Sequence, residues 1–289
     1  MRLSFTKMQS LGNDFILIDD RGLRLRNINR LSRFLCDRRF GIGADQLLIL
    51  SNSKKADFKM RIFNPDGSEV EMCGNGIRCL AKYVWDKGFK IQDSKLKIKE
   101  LKIETLAGIK YIKSKGKLIE VDMGEPILEP ERIPVKPDSG IKVQGSMPII
   151  NIPLKVNKSE FKITCVSMGN PHAVIVVDDV RSFPVDEYGP MIENHKVFPK
   201  RTNVEFIQVK DRRNIIMRVW ERGVGETMAC GTGASAVTVA SSLLGLTDRK
   251  ITVYLLGGRL RIEWAKRDNH VYMAGPATTV FEGSIWVKR

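Results

Sequence analysis

An internal duplication constrains this chain more than any other feature. Arg61-Ile-Phe-Asn-Pro-Asp-Gly-Ser-Glu-Val-Glu-Met-Cys-Gly-Asn-Gly76 aligns without a gap on Arg218-Val-Trp-Glu-Arg-Gly-Val-Gly-Glu-Thr-Met-Ala-Cys-Gly-Thr-Gly233, with Cys73 on Cys230 (230 − 73 = 157). The same offset places Leu11-Gly-Asn13 on Met168-Gly-Asn170 (170 − 13 = 157) and Gln46 on Asn203 (203 − 46 = 157). Towards the end of each unit the spacing tightens, and Met123-Gly-Glu-Pro126 is echoed by Met273-Ala-Gly-Pro276. Repetition of this kind predicts two structurally similar units, with loops absorbing the length change. A chain of 289 residues has room for two domains of ordinary size.

Each unit reads as strand-rich with a helix after its cysteine motif. Phe15–Asp19, Gln46–Leu50 and Phe58–Phe63 are short β-like runs, and Ala173–Asp178, Val204–Val209 and Ile215–Trp220 are their counterparts. Asn75–Trp85 and Thr232–Leu244 are helix-like and end near Gly88 and Gly245, where a left-handed stop is expected. Pro130–Pro153 carries prolines and reads as irregular.

The net charge of +15 raises the question of nucleic acid or an anionic membrane as a partner. Lysine and arginine are mostly interleaved singly with apolar residues, as in Lys95–Ile103, which is the outward face of half-buried strands. No helix-turn-helix, RNA-recognition or zinc-finger pattern accompanies the charge, so no nucleic-acid partner is expected. No apolar run reaches about 18 residues and Met1–Met8 lacks an apolar signal core, so no membrane partner and a cytoplasmic location are expected. Five cysteines without a C-x-x-C pair indicate neither a disulfide framework nor zinc, and His172, His195 and His270 have no ligand spacing.

In both copies the cysteine precedes Gly-x-Gly and a helix. Small residues there let backbone N–H groups approach a ligand, and the positive helix end favours a carboxylate and a thiolate. Cys36, Cys79 and Cys165 have no such cradle and read as small buried hydrophobes. Cys73 and Cys230 persist while neighbours change, Asn64 to Glu221 and Asn75 to Thr232 among them, so packing alone does not explain them. An approximate twofold would set the two thiols facing each other across an interdomain cleft, suited to proton transfer on opposite faces of one carbon. A thiol titrating near pH 8.5 makes a thiolate–thiol pair accessible. An amino acid's α-proton is weakly acidic, so the site must itself stabilise the carbanion, and one well-placed donor contributes about 3 kcal/mol. No metal or phosphate-loop motif is visible, and no cofactor is expected.

Phe5–Phe15, Phe63–Glu69, Met72–Arg78, Gly169–His172 and Val219–Gly233 resemble the diaminopimelate epimerase family, and the resemblance spans nearly the whole chain. It implies an α+β fold of two pseudo-symmetric strand-rich domains, each a barrel-like sheet around a central helix. The halves are expected at 1–120 plus 277–289, carrying Cys73, and at 121–276, carrying Cys230. The implied activity is cofactor-independent interconversion of LL- and meso-diaminopimelate, in the route to lysine and the bacterial cell wall. The resemblance makes Cys73 and Cys230 the acid–base pair and gives His172 and Glu221 assisting roles. Gly74, Asn75, Gly231 and Thr232 would hold the reacting carboxylate. Asn13, Gln46, Asn64, Asn170, Asn203, Glu221 and Arg222 would hold the amino groups and the distal end, Arg222 being able to grip a carboxylate with two donors. Phe281 stands where some relatives carry tyrosine at a dimer contact, so a homodimer is expected.

Other readings stay open on sequence alone. Proline racemase or hydroxyproline epimerase shares the duplication and the Cys-Gly motifs, but its substrate has one carboxylate, whereas Asn64, Asn203 and Arg222 suit a second polar terminus. A phenazine-type isomerase of similar architecture lacks the cysteine pair. A thiol redox protein would cycle a Cys73–Cys230 disulfide, and a nucleic-acid binder would show salt-dependent retention on DNA.

Overall fold

The computed structural model describes residues 1–89, 100–136 and 147–287. The chain forms two units: Met1–Asp122 with Ala274–Arg289, and Met123–Met273. Unit 1 contains β1 (Arg2–Ser10), β2 (Asn13–Asp19), α1 (Ile28–Cys36), β3 (Gln46–Ser51), β4 (Phe58–Phe63) and β5 (Glu69–Val70). It continues with α2 (Gly74–Asp86), β6 (Glu100–Thr105), β7 (Gly108–Lys115) and β8 (Leu118–Asp122), and finishes with β18 (Thr278–Trp286). Unit 2 runs through β9 (Ile152–Val156), β10 (Ser159–Ser167), β11 (Pro171–Val176), α3 (Val185–Glu193), β12 (Asn203–Asp211), β13 (Asn214–Glu221) and β14 (Gly225–Thr227). Then follow α4 (Gly231–Leu243), β15 (Lys250–Leu255), β16 (Gly258–Trp264) and β17 (Val271–Gly275), which leads the chain back into unit 1. The fold is α+β, as the sequence implied.

The repeat seen in sequence is a repeat of strand register. In unit 1, β2 and β3 are parallel with Phe15 opposite Gln46, while in unit 2, β11 and β12 are parallel with His172 opposite Asn203. Both pairs of positions are related by 157. The offset falls to 150 after the helices: Phe58 pairs with Ile103 and Ile215 with Val253 (253 − 103 = 150). The hairpin before β2 differs. Leu11 and Gly12, both with positive φ, make a two-residue turn that sets Ser10 opposite Asn13. In unit 2 the loop gains a residue and Ser167 pairs with Pro171, which moves Asn170 out of the strand and into the loop.

The strands carrying the continuous apolar runs are covered on both faces. Ile16, Ile18, Leu47 and Ile49 pack in one cluster with Ile28 and Leu35 of α1, while Phe15 and Leu48 lie on the other side, against α2 at Gly76. In unit 2, Val204 and Phe206 join Val185 and Ile192 of α3. Glu205, between them on β12, therefore faces the other way and lies against Gly233 of α4. The α4 sequence GTGASAVTVASSL is buried on nearly every side, which its small residues permit. It contacts β10, β11, β12, β15 and β16, and α2 likewise contacts β1, β2, β3, β4, β8 and β18.

Gly88 and Gly245 adopt left-handed φ, 62° and 71°, just past the two helices. Phe89 N–H donates to Val84 O and Gly88 N–H to Trp85 O, the two bonds that close such a helix end. The strand expected over Ala173–Asp178 starts and stops two residues earlier, and Pro153, expected in an irregular stretch, sits in β9. Among the described residues that strand has its paired register with β10, so the missing proline N–H falls on an edge. Within the Lys95–Ile103 stretch the described part, from Glu100, is β6 with alternating burial; 95–99 lie outside the described residues, as do 137–146 of the proline-bearing segment.

Candidate active site

Cys73 stands immediately before α2 in extended backbone conformation, and its Sγ accepts the Gly76 N–H at 3.4 Å. The Ile77 N–H is taken by Cys73 O. The N–H groups of Gly74 and Asn75 open the helix, a place that suits a ligand carboxylate. Asn13 reaches this point from the β1–β2 turn. Its Oδ1 lies 3.8 Å from Cys73 Sγ and accepts from Asn75 Nδ2 at 3.5 Å. Asp45 fixes that amide by accepting from Asn13 Nδ2 at 2.7 Å. On the neighbouring strands Gln46 Nε2 donates to Asn64 Oδ1 at 2.9 Å, and the buried Gln46 Oε1 is without a hydrogen-bond partner among the described residues. An amide oxygen left in that state is an acceptor for an ammonium group. Unit 1 thus gathers Asn13, Gln46, Asn64, Cys73, Gly74 and Asn75.

Unit 2 repeats the arrangement with different chemistry. Cys230 precedes α4 in the same conformation, is 6% exposed, and its Sγ contacts Thr232 Oγ1 at 3.4 Å. Burial pushes its thiol well above the ordinary range, and the Glu221 and Glu205 carboxylates push in the same direction. Glu221 accepts from Thr227 Oγ1 at 2.5 Å, and burial raises its carboxyl as well. His172 is fully buried on β11, with Nδ1 2.7 Å from Glu205 Oε1 and Nε2 3.1 Å from Asn170 Oδ1. Since the carboxylate only accepts, Nδ1 carries the hydrogen. Asn203 donates to Pro171 O at 2.8 Å and accepts the Arg222 N–H at 3.0 Å, so it locks the turn that bears Glu221 and Arg222. The Arg222 guanidinium donates to Lys200 O at 3.2 Å. All five cysteines are free thiols. No helix among the described residues is long and apolar enough to cross a membrane.

Comparison with known proteins bears on this arrangement. The diaminopimelate epimerase profile matches residues 5–129 and 164–280. Diaminopimelate epimerase of Acetivibrio thermocellus is 52% identical over 288 residues, 98% of this chain and 98% of its own. The chain belongs to the diaminopimelate epimerase family. Diaminopimelate epimerase of Methanococcus maripaludis strain C5 is also 52% identical, over 98% of this chain and 99% of its own. Among solved structures, the Bacillus anthracis phenazine biosynthesis protein of the PhzF family shares the fold, with a TM-score of 0.68 at 18% identity over 99% of this chain and 100% of that one. As a member of the diaminopimelate epimerase family the chain is an isomerase.

Sequence reasoning passed over three side chains that shape this candidate site. Arg78 is fully buried beneath Cys73, Glu205 is fully buried beneath Cys230, and Thr227 holds Glu221. Glu205 had a signal: at the repeat offset Phe15 and Leu48 become His172 and Glu205, two apolar neighbours exchanged together for an imidazole and an acid.

The cysteine-proximal glycines test how tightly Glu205 is held. A Cβ on Gly233 would lie 2.7 Å from Glu205 Oε1, whereas one on Gly76 would meet Leu48 Cδ2 at 3.1 Å. Gly233→Ala is expected to cost about 1–3 kcal/mol from overpacking, and to displace Glu205 and with it His172. Gly76→Ala should cost less. Urea denaturation of the two variants, alongside epimerase assays, checks the ranking, and equal effects would contradict the tight placement of Glu205.

Proposed function

We propose that this protein interconverts LL- and meso-diaminopimelate without a cofactor, with Cys73 and Cys230 as the two acid–base groups. One thiolate takes the α-proton, and the other cysteine, as thiol, delivers a proton to the opposite face of the same carbon. The observation that carries this reading is the repeated one. Each of two buried helices begins directly after a cysteine, with first-turn N–H groups placed to receive a carboxylate. Developing negative charge on that carboxylate would be met by two helix starts. Gln46 Oε1, Asn64, Asn203 and Asn170 supply acceptors and donors for ammonium groups, and Arg222 a cation for a distal carboxylate. The names of relatives 52% identical over nearly the full length point to the same substrate. Asn13, Gly74, Asn75, Gly231 and Thr232 complete the proposed binding set, with His172 and Glu221 assisting catalysis.

The reading includes a cytoplasmic homodimer. Val280, Phe281 and Trp286 on β18 are large apolar side chains exposed at 54%, 48% and 76%, which favours coverage by a second copy.

Incubation with LL-diaminopimelate in deuterium oxide, without added cofactor, is expected to give the meso isomer with solvent deuterium at the α-carbon. Exchange with proline but not diaminopimelate would replace the substrate, and exchange with neither would defeat the reading.

A further inference from the structure

The two cysteines share a backbone setting but not an electrostatic one. At the repeat offset Arg78 becomes Ser235 (235 − 78 = 157). Both are fully buried, and both hold the carbonyl of the residue after the cysteine: Arg78 Nη1 donates to Gly74 O at 3.1 Å, and Ser235 Oγ to Gly231 O at 2.9 Å. The hydroxyl does this without charge. The guanidinium also reaches Asn75 Oδ1 and Ser10 Oγ, each at 2.6 Å, and so lies directly under the first turn that Cys73 heads. Burial lowers it only to about 10, so it is a cation at neutral pH.

The opposite exchange occurs under Cys230, where Glu205 replaces Leu48 and His172 replaces Phe15. Other charged groups near the two helices are largely paired with one another. Around Asn13, Lys7 and Arg38 face Asp14 and Asp45 in one network of two cations and two anions, while Gln46 and Asn64 on β3 and β4 are neutral. Glu282 of β18 pairs with Lys87 at the far end of α2. Arg78 adds a buried cation beneath the first turn of α2, where unit 2 has the neutral Ser235. Beneath Cys230, Glu205 and Glu221 set two acidic side chains beside one imidazole, and unit 2 has no buried arginine at the Arg78 position. Cys165 on β10 lies in the cluster with Val204 and Phe206, on the face turned away from α4, and is kept a thiol by burial, as is Cys79 within α2.

We propose that these exchanged buried charges fix where the proton sits in the free protein: Cys73 rests as the thiolate over Arg78, and Cys230 as the thiol over Glu205 and Glu221. The proposal rests on the acid–base reading of the two cysteines and adds Arg78 and Glu205 as positioning residues. The Gly76 N–H at 3.4 Å, closer than Asn13 Oδ1 at 3.8 Å, is a donor suited to a thiolate. In one turnover the Cys73 thiolate gains the substrate proton as the Cα–H bond breaks, while the Cys230 S–H bond breaks as a new Cα–H bond forms. Negative charge then lies over the carboxylates, and exchange of one proton with solvent restores the resting form.

Iodoacetamide alkylation of the native protein, followed by mass spectrometry of the peptides bearing each cysteine across pH 5–10, reads both thiols separately. The midpoint of rate against pH is the readout, since restricted access slows a thiol at every pH; burial also raises the Cys230 midpoint, so the part due to charge is read from the shifts in the Arg78 and Glu205 variants. Cys73 is expected to titrate at least about one pH unit below Cys230. Arg78→Met should raise the Cys73 midpoint by about one unit, with Arg78→Lys largely restoring it, and Glu205→Gln should lower that of Cys230 alone. A wild-type midpoint for Cys230 at or below that of Cys73, or no movement in Arg78→Met, would overturn the proposal. If Arg78→Met does not fold, the wild-type order and the Glu205→Gln shift still decide it. Deuterium exchange on the same preparations separates the two ideas: absent exchange with split midpoints defeats the acid–base reading, and normal exchange with the wrong order defeats only this inference.

Discussion

Cys73→Ala and Cys230→Ala are each expected to lower epimerisation by about 1,000-fold or more, since a positioned acid or base contributes roughly 10²–10⁴. The two losses should not multiply in the double variant, because neither half-reaction gives inverted product without the other. Both alanines fit where they are placed. The Cys73 sulfur accepts the Gly76 N–H and lies 3.8 Å from Asn13 Oδ1, and the Cys230 sulfur contacts Thr232, weak contacts whose loss folding should survive with circular dichroism unchanged. Isomer formation followed by chiral chromatography checks this. Retention of more than about a tenth of wild-type activity in either variant would remove that cysteine from the chemistry.

The second large effect concerns Glu221. Glu221→Gln is expected to lower kcat/KM by about 10–100-fold, because a carboxylate in contact with the acid–base thiol is lost. Its pH signature follows from the direction of the shifts. Burial and two carboxylates hold the Cys230 thiol above its ordinary range, so the step that needs its proton fails only at alkaline pH. Removing one of those carboxylates lowers the thiol, and the alkaline decline should begin at lower pH in the variant. Glu221 itself is raised by burial, so the wild type should also lose activity on the acid side as this carboxyl protonates, a loss that glutamine abolishes. A variant whose alkaline limb stays in place would show that Glu221 does not act on Cys230.

Much of this was legible in the sequence because the duplication supplied a second reading of every position. Helix boundaries near Cys73 and Cys230 followed from small residues at the start and glycine at the end, and both stops have the expected left-handed form. The apolar runs at Phe15–Ile18 and Leu47–Leu50 revealed strands but not what covers them, since burial on both faces erases the alternation that identifies a neighbour. The helices α1 and α3, which cover the outer faces, were not anticipated. Glu205 was hidden for the opposite reason. Set among Val204, Phe206 and Ile207 it resembles the polar residue of an ordinary half-exposed strand, and only the packing of α4 makes its face an interior one.

The strand order also dictates when each half of the protein can be finished during synthesis. β1 pairs along nearly its whole length with β18, and the Met1 amino group donates to Val287 O at 2.6 Å. A ribosome making this chain delivers β1 before β18, with every residue of unit 2 in between. Unit 2 is contiguous and can close as soon as it emerges, whereas the half that carries Cys73 keeps one side of β1 unpaired until β18 has been made. An unpaired strand edge invites pairing with other chains. Nascent copies of this protein are therefore most exposed to mispairing at β1, and the arrival of β18 ends that interval.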